Sequence, residues 1–167
     1  PDEWRIPLDR KITYITPPIE MKGAHGIFRT EDGVGLINAQ GRIVLECLYE
    51  DVGHLSEEVA PAKQDGLWGY VDVSGKWVIA PGYEAVGAFL NGYATVKLEG
   101  KTALISREGK VITPFKYNDA GYVQNGCFPA SEVRNGKELW GIVDLNGDII
   151  LPIEYDAVEW IDIDRGK

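Results

Sequence analysis

Cysteine and histidine are scarce in this sequence. The 167 residues include two cysteines, Cys47 and Cys127, too few for a disulfide framework or a four-cysteine zinc site. We expect two buried free thiols, with one bridge between them as the alternative. The two histidines, His25 and His54, belong to no recognisable catalytic triad or set of metal ligands. We therefore predict that both are ordinary surface or turn residues, and that the protein has no catalytic residues, cofactor or metal.

The sequence has fewer basic than acidic residues, and it has no long apolar run. Seventeen lysines and arginines face 26 aspartates and glutamates, for a formal net charge of −9. A chain of this charge repels phosphate, so we expect neither nucleic acid nor an anionic membrane surface as a partner. No apolar run approaches the roughly 18 residues that predict membrane insertion. The N-terminal "PDEWRIPLDRK" lacks the apolar segment of a signal peptide, which predicts a soluble protein and leaves its compartment open.

Glycine is plentiful and marks an internal repeat. Glycines in one sequence context recur at intervals of 34, 34 and 38 residues, at Gly41, Gly75, Gly109 and Gly147. A tyrosine follows each glycine by eight residues, at Tyr49, Tyr83, Tyr117 and Tyr155. A small residue precedes each by six, at Gly35, Gly69, Ala103 and Gly141. Such self-similarity indicates four copies of one unit of about 34 residues.

Each copy has the local chemistry of short strands. A segment such as "GYVDV" is rich in β-branched and aromatic residues, and a glycine turn such as "VSGK" follows it. The second segment, "WVI" in this copy, is an unbroken apolar run that predicts burial on both faces. Prolines are expected to end this strand at Pro81, Pro114 and Pro152. A third short strand, such as "YATVKL", completes a unit of about three antiparallel strands, and helical periodicity is absent.

Two copies carry a Trp-Gly pair, at Trp68-Gly69 and Trp140-Gly141. Each pair is followed by strand, turn, strand, proline and tyrosine. This arrangement resembles the bacterial WG-repeat family, also called KWG repeats, over about residues 26–160. The other copies depart from it, with Val34-Gly35 and Thr102-Ala103 in place of Trp-Gly. The resemblance implies an all-β repeat array that is presumed to bind other molecules, and it implies no catalytic residues.

The repeated residues have a structural interpretation. We expect the Trp-Gly pairs to pack repeats together, with the indole of one unit against the bare glycine backbone of a neighbour. The four repeat tyrosines are predicted to be buried, each with its hydroxyl bonded to a backbone group. In turns such as "DLNGD", we expect the Asp or Asn side chain to bond its own backbone rather than a metal.

The repeats predict an all-β fold of tandem antiparallel hairpin or meander units. A single domain is expected over 1–167, with a degenerate N-terminal repeat at about 4–34 and repeats at about 35–68, 69–102, 103–140 and 141–167. Residues 27–32 match the third strand of a unit. We favour an open solenoid-like or partly propeller-like array. The alternative is a closed small propeller, in which this N-terminal piece completes the C-terminal unit.

A variable position suggests a binding edge. Five residues after each repeat tyrosine stand His54, Ala88, Tyr122 and Trp160. These residues should project at one edge of the array, where repeat proteins usually bind. Trp77 is also unusual, because its position holds Ile or Val in the other copies. We take His54, Tyr122, Trp160 and Trp77 as binding candidates, with local packing as the alternative for each.

These candidates lead to three functional hypotheses. The first is a non-enzymatic interaction module with a protein partner. The second is a carbohydrate- or cell-wall-binding domain that stacks sugars on Trp160 and Tyr122. The third is a hydrolase with acidic residues in a cleft.

Overall fold

The structure is a computed structural model that describes residues 12–15 and 25–159, with side chains from residue 25 onward. In these ranges the chain forms strands and no helix, which confirms the all-β prediction. The strands are β1 (Ile12–Ile15), β2 (His25–Thr30), β3 (Val34–Asn38), β4 (Ile43–Tyr49), β5 (Asp51–Val52), β6 (Val59–Gln64), β7 (Leu67–Asp72), β8 (Trp77–Tyr83), β9 (Ala85–Val86), β10 (Tyr93–Leu98), β11 (Lys101–Ser106), β12 (Asp119–Ala120), β13 (Cys127–Arg134), β14 (Lys137–Asp144) and β15 (Ile149–Tyr155). The part of the chain that is described thus offers no helix with the length and apolar character needed to cross a membrane.

The chain forms two compact units, divided between Phe89 and Leu90. In the first unit, β1-β2-β3-β4 and β5-β6-β7-β8 form two antiparallel sheets. In the second, β10 and β11 form a hairpin, and β12-β13-β14-β15 form a further antiparallel sheet. The single domain predicted over 1–167 stays a prediction.

The sheets are out of phase with the sequence repeat. Strand β6 is the third strand of one copy, and it pairs along its whole length with β7, the first strand of the next copy. The Asp65-Gly66 turn joins them with φ values of 52° and 78°, which suit the right-handed twist of a two-residue hairpin. Strands β13 and β14 meet in the same way across Asn135-Gly136. The predicted three-strand unit does not form a sheet of its own, because each four-stranded sheet takes strands from two successive repeats.

Strand β2 occupies the third-strand position predicted for residues 27–32. It pairs with β1 on one edge and with β3 on the other, so it completes the first sheet. The ring alternative would instead place this piece in the C-terminal unit. Of the predicted degenerate repeat at 4–34, residues 4–11 and 16–24 lie outside the described part of the chain.

Two prolines lie inside strands rather than at their ends, so this part of the prediction is wrong. Strands β8 and β15 continue through Pro81 and Pro152 to the repeat tyrosine. Trp68 pairs with Tyr83 and Tyr70 with Ile79, so two residues of β7 span four of β8. The excess forms a bulge, where a missing proline N–H removes no ladder bond.

Burial of the second strands on both faces is also not found. In β4, Leu45 is buried whereas Glu46 and Leu48 are exposed. In β15, Ile149 and Ile150 are each 59% exposed. These strands lie at the end of their sheets and pack on one face, so apolar runs did not indicate two-sided burial here.

The two units have equivalent cores. In the first unit the core contains Leu36, Tyr49, Val52, Ala62 and Val71. Two repeats later, the same positions form the core of the second unit, with Leu104, Tyr117, Ala120, Ala130 and Val143. The repeat in sequence is therefore also a repeat in packing.

Candidate functional site

The glycine of each Trp-Gly pair lies against backbone of its own repeat. A Cβ atom on Gly69 would meet the Ile79 carbonyl oxygen and would lie 2.7 Å from the carbonyl carbon of Ala80, in the bulge of β8. A Cβ on Gly141 would lie 2.7 Å from the Pro152 carbonyl oxygen. The predicted contact with a neighbouring indole is thus corrected: glycine is needed because the bulged strand crosses directly over it.

The repeat tyrosines are not all alike. Tyr49 is 6% exposed, and its hydroxyl donates to the Gly75 carbonyl of the next repeat at 3.4 Å. Burial, with the charge of Asp72, raises the pKa of this tyrosine. Tyr117 is 1% exposed, but its hydroxyl has no hydrogen-bond partner in the described part of the chain. Tyr83 is half-buried and Tyr155 is 46% exposed. Burial with a backbone bond therefore fits Tyr49. Tyr117 is buried without such a bond among the described residues, and Tyr83 and Tyr155 are less buried than predicted.

The glycine turns form as predicted. The Asp72 carboxylate accepts from the backbone N–H groups of Ser74 at 2.9 Å and Lys76 at 3.1 Å, and from the Ser74 hydroxyl at 2.6 Å. These hydrogen bonds, chiefly the one from the Ser74 hydroxyl, lower the pKa of Asp72. Asn38 and Asp144 accept equivalent backbone bonds in their own turns. The Asp and Asn side chains therefore hold their own turns together.

Two candidate residues of the variable position occupy equivalent loops. The N–H of Gly53, before His54, donates to the Pro61 carbonyl at 2.8 Å. The N–H of Gly121, before Tyr122, donates to the Pro129 carbonyl at the same distance. His54 is exposed and Tyr122 is 53% exposed.

The chain after these residues turns inward. Leu55 packs against the first core, and Val123, 4% exposed, belongs to the second. In both loops, the glycine before the exposed residue is hydrogen-bonded to the sheet and the residue after it packs against the core. Ala88, at the same position, is half-buried, and Trp160 lies outside the described residues.

Trp77 does not share this edge. It is half-buried, packs against the first core and meets the Tyr49 ring edge-on, with 5.7 Å between the centroids. This packing is the alternative that the sequence left open for Trp77, and a binding role for Trp77 stays a prediction.

The scarce residues also have defined places. Both cysteines are free, which agrees with the prediction of two thiols. Cys47 is buried and donates to the Gly33 carbonyl at 2.6 Å, whereas Cys127 is only partly buried, so burial is wrong for the latter. His25 lies half-buried in β2 rather than in a turn. Within residues 25–159, no group of His, Cys, Asp and Glu is arranged to hold a metal ion.

A surface pocket of about 450 Å³ lies in the second unit. Four of its lining residues are the four that follow Tyr122 in the chain. We call it the asparagine pocket; it is lined by Asn91, Tyr93, Val123, Gln124, Asn125, Gly126 and Leu145. The Asn91 amide donates to the Val123 carbonyl at 2.8 Å, and the Leu145 N–H donates to the Gly126 carbonyl at 3.1 Å. Sequence reasoning missed these residues. The Asn91-Gly92 and Asn125-Gly126 pairs signal tight turns, but nothing in the sequence shows that the two turns border one cavity.

A family model for the WG containing repeat matches residues 35–68, 68–101, 104–137 and 140–159. The chain belongs to the WG-repeat family. A search of curated proteins found no match.

The WG repeats that lack tryptophan keep its pairing. Trp68 and Trp140 lie opposite the tyrosines of their own repeats, Tyr83 and Tyr155. Val34 pairs with Tyr49 in the same register, and Thr102 pairs with Tyr117. The WG-repeat backbone therefore tolerates replacement of the indole.

Proposed function

We propose that this WG-repeat protein is a non-enzymatic binding module that presents its loop edge to a protein partner. The supporting observation is Tyr122, which is 53% exposed on a loop held at both sides. A Cβ on Gly121 would lie 3.1 Å from the Pro129 ring, so this loop is packed closely against the sheet. An exposed aromatic side chain on an ordered loop binds with little loss of conformational entropy, and such residues often dominate interfaces.

The charge of the chain limits the class of partner. At −9, the protein favours a neutral or basic protein surface over nucleic acid or an anionic membrane. The carbohydrate hypothesis, which relied on Trp160 and Tyr122, is a second candidate because a pocket with amide side chains is lined by Val123, Gln124 and Asn125, the residues that follow Tyr122 in the chain.

Site-specific cross-linking tests the proposal. A photoreactive phenylalanine analogue would replace Tyr122, His54 or Val133 in the full chain, which would then be exposed to a lysate of the source organism. Val133 is the control, because it is also 53% exposed but lies on β13. We expect one protein to be cross-linked from the loop positions and not from Val133.

Substitutions complete this test. Capture of the same protein should persist in Tyr122→Phe and should be lost in Tyr122→Ala. Equal cross-linking from Val133, or unchanged capture by both Tyr122→Ala and His54→Ala, would contradict the proposed edge.

A further inference from the structure

We propose that the asparagine pocket binds a neutral polyhydroxylated ligand, a saccharide. This inference rests on the second, carbohydrate candidate named above and assigns it to the pocket residues instead of Trp160 and Tyr122; it is independent of the protein partner. The pocket is an open depression of about 450 Å³, a volume that accommodates a sugar ring and leaves one side of it in solvent.

The walls of the asparagine pocket are ordered. Asn91 and Asn125 have φ values of 54° and 51°, and each precedes a glycine with positive φ. This left-handed pair closes a tight turn and leaves the backbone little freedom. Tyr93 and Leu145 both pack against the second core. A ligand would therefore meet a preformed surface, which reduces the entropic cost of binding.

The polar lining matches hydroxyl groups. The Asn91 amide nitrogen donates to the Val123 carbonyl, and this bond fixes the Asn91 side chain in the pocket wall. Gln124 and Asn125 are exposed, and each amide supplies two N–H donors and one acceptor oxygen. A sugar hydroxyl both donates and accepts, so it is satisfied by this mixture. The half-buried Tyr93 and Leu145 provide apolar surface for the C–H groups of a sugar ring.

The pocket is lined by uncharged side chains, and this favours a neutral ligand. None of the seven lining residues is an acid, lysine, arginine or histidine. An anionic ligand would find no cation here in a chain of net charge −9, and a cationic ligand would find no carboxylate. Neutral hydrogen-bonding ligands are the class that remains.

The first unit provides an internal contrast. Where the second unit has Asn125-Gly126, the first has Glu57-Glu58, with the same left-handed conformation and φ values of 49° and 69°. The equivalent turn therefore carries two carboxylates. The neutral amide chemistry belongs to the second unit, and saccharide binding should be confined to it.

Nuclear magnetic resonance of the ¹⁵N-labelled full chain tests the inference. The probes are glucose, galactose and N-acetylglucosamine, each as the monosaccharide and as a β-linked oligomer, at millimolar concentration. We expect at least one probe to shift the backbone amides of residues 123–126 and the side-chain amide of Asn125. A response to oligomers alone would indicate a polymeric glycan, and a response to monosaccharides would indicate a free sugar; either supports the inference.

Matched variants exclude a nonspecific response. Asn125→Asp keeps the shape of the side chain but removes its N–H donors and adds a charge, so we expect saccharide affinity to fall at least about tenfold. Asn135→Asp makes the same change in another left-handed turn, before Gly136, which does not line the pocket. That variant should bind normally.

Three outcomes would overturn the inference: no saccharide shifts residues 123–126, a charged ligand shifts them in preference to neutral ones, or Asn125→Asp binds as well as the unmodified protein.

The saccharide proposal and the protein-partner proposal can be tested separately. Failure here leaves the protein capture by Tyr122 unchanged, and loss of that capture leaves the saccharide titration unchanged.

Discussion

The position after the repeat tryptophan holds alanine in the third copy and glycine in the others, and the second strand of the third copy is shorter. Gly69 and Gly141 face strands β8 and β15, which continue to the repeat tyrosine. The third copy has Ala103 instead, and its second segment makes a single bridge, from Ile105 to Val111. There the backbone N–H of Leu104 donates to the Thr113 hydroxyl at 3.0 Å rather than to a strand carbonyl. The absence of a Cβ thus correlates with a complete second strand.

Gly69→Val should destabilise the first unit by about 1–3 kcal/mol or more, because the added side chain overlaps the Ile79 and Ala80 backbone. The measurement is the midpoint and slope of urea denaturation. Gly82→Val is the matched control, since a Cβ there would lie 3.9 Å from its nearest neighbour, the Ala80 oxygen. Equal midpoints for the two variants would contradict overpacking.

Removal of the hydroxyl should lower the stability of the protein at Tyr70 but not at Tyr117. Tyr70 donates to the Gly87 carbonyl at 2.6 Å, so Tyr70→Phe should cost about 1 kcal/mol of unfolding free energy. Tyr117 has a buried hydroxyl without a partner in the described residues, so Tyr117→Phe should be neutral or stabilise by about 1 kcal/mol. Thermal and urea denaturation of both variants measure this. A clear loss of stability in Tyr117→Phe would show that its hydroxyl is satisfied.

At the scale of the element, the β13–β14 hairpin is held by more than its ladder. The fully buried Ser131 hydroxyl donates to the Glu138 carboxylate at 2.7 Å, and the Asn118 amide donates to it at 2.8 Å. The bond from Ser131, followed by that from Asn118, lowers the pKa of Glu138 below its ordinary 4.5. The carboxylate therefore ties this hairpin to the segment that precedes β12.

Glu138→Gln should destabilise the protein at pH 7 and have less effect in acid. A carboxyl group with a lowered pKa contributes stability above its unfolded pKa of about 4.5, and this contribution is lost as the pH falls through the folded value. Urea midpoints of the protein and the variant should therefore converge as the pH falls below 4.5. Glu154→Gln, on exposed β15, controls for the loss of one negative charge. A difference that is constant from pH 7 to pH 3 would exclude the carboxylate as its source.

Prediction from sequence succeeded where an element depends on its own residues. The glycine turns formed as expected because an Asp72 carboxylate reaches N–H groups only two and four residues away. The strands were evident in the β-branched and aromatic segments of each copy, and the Trp-Gly pairs carried the resemblance to the WG-repeat family. The bulge at Pro81 was missed because it depends on how β8 pairs with β7. The asparagine pocket was missed because it combines turns that are a full repeat apart.

At the scale of the whole molecule, the chain repeats its packing as well as its strands. Leu36 in the first core and Leu104 in the second are 0% and 1% exposed. Each lies beside the repeat tyrosine of its own unit, Tyr49 or Tyr117, in the same core cluster.

Leu36→Ala and Leu104→Ala should therefore destabilise their units by similar amounts, about 2–5 kcal/mol each, through lost burial and a residual cavity. Hydrogen exchange followed by mass spectrometry reports the two units separately. We expect increased exchange in residues 25–89 for the first variant and in residues 90–159 for the second. Leu48→Ala, at a side chain that is 68% exposed, should change neither. A large effect at one position and none at the other would refute the equivalence of the cores.

The sharing of each sheet by two repeats has a consequence for how such a chain can be shortened or duplicated. A cut at the end of a sequence repeat, for example after residue 68, leaves β6 without most of β7 and opens a hydrogen-bonded ladder. A cut near the repeat tyrosine falls between sheets and spares every ladder. During evolution, insertion of one full repeat length preserves the strand pairing wherever the insertion starts. Gain or loss of part of a repeat would leave one strand without its pairing partner.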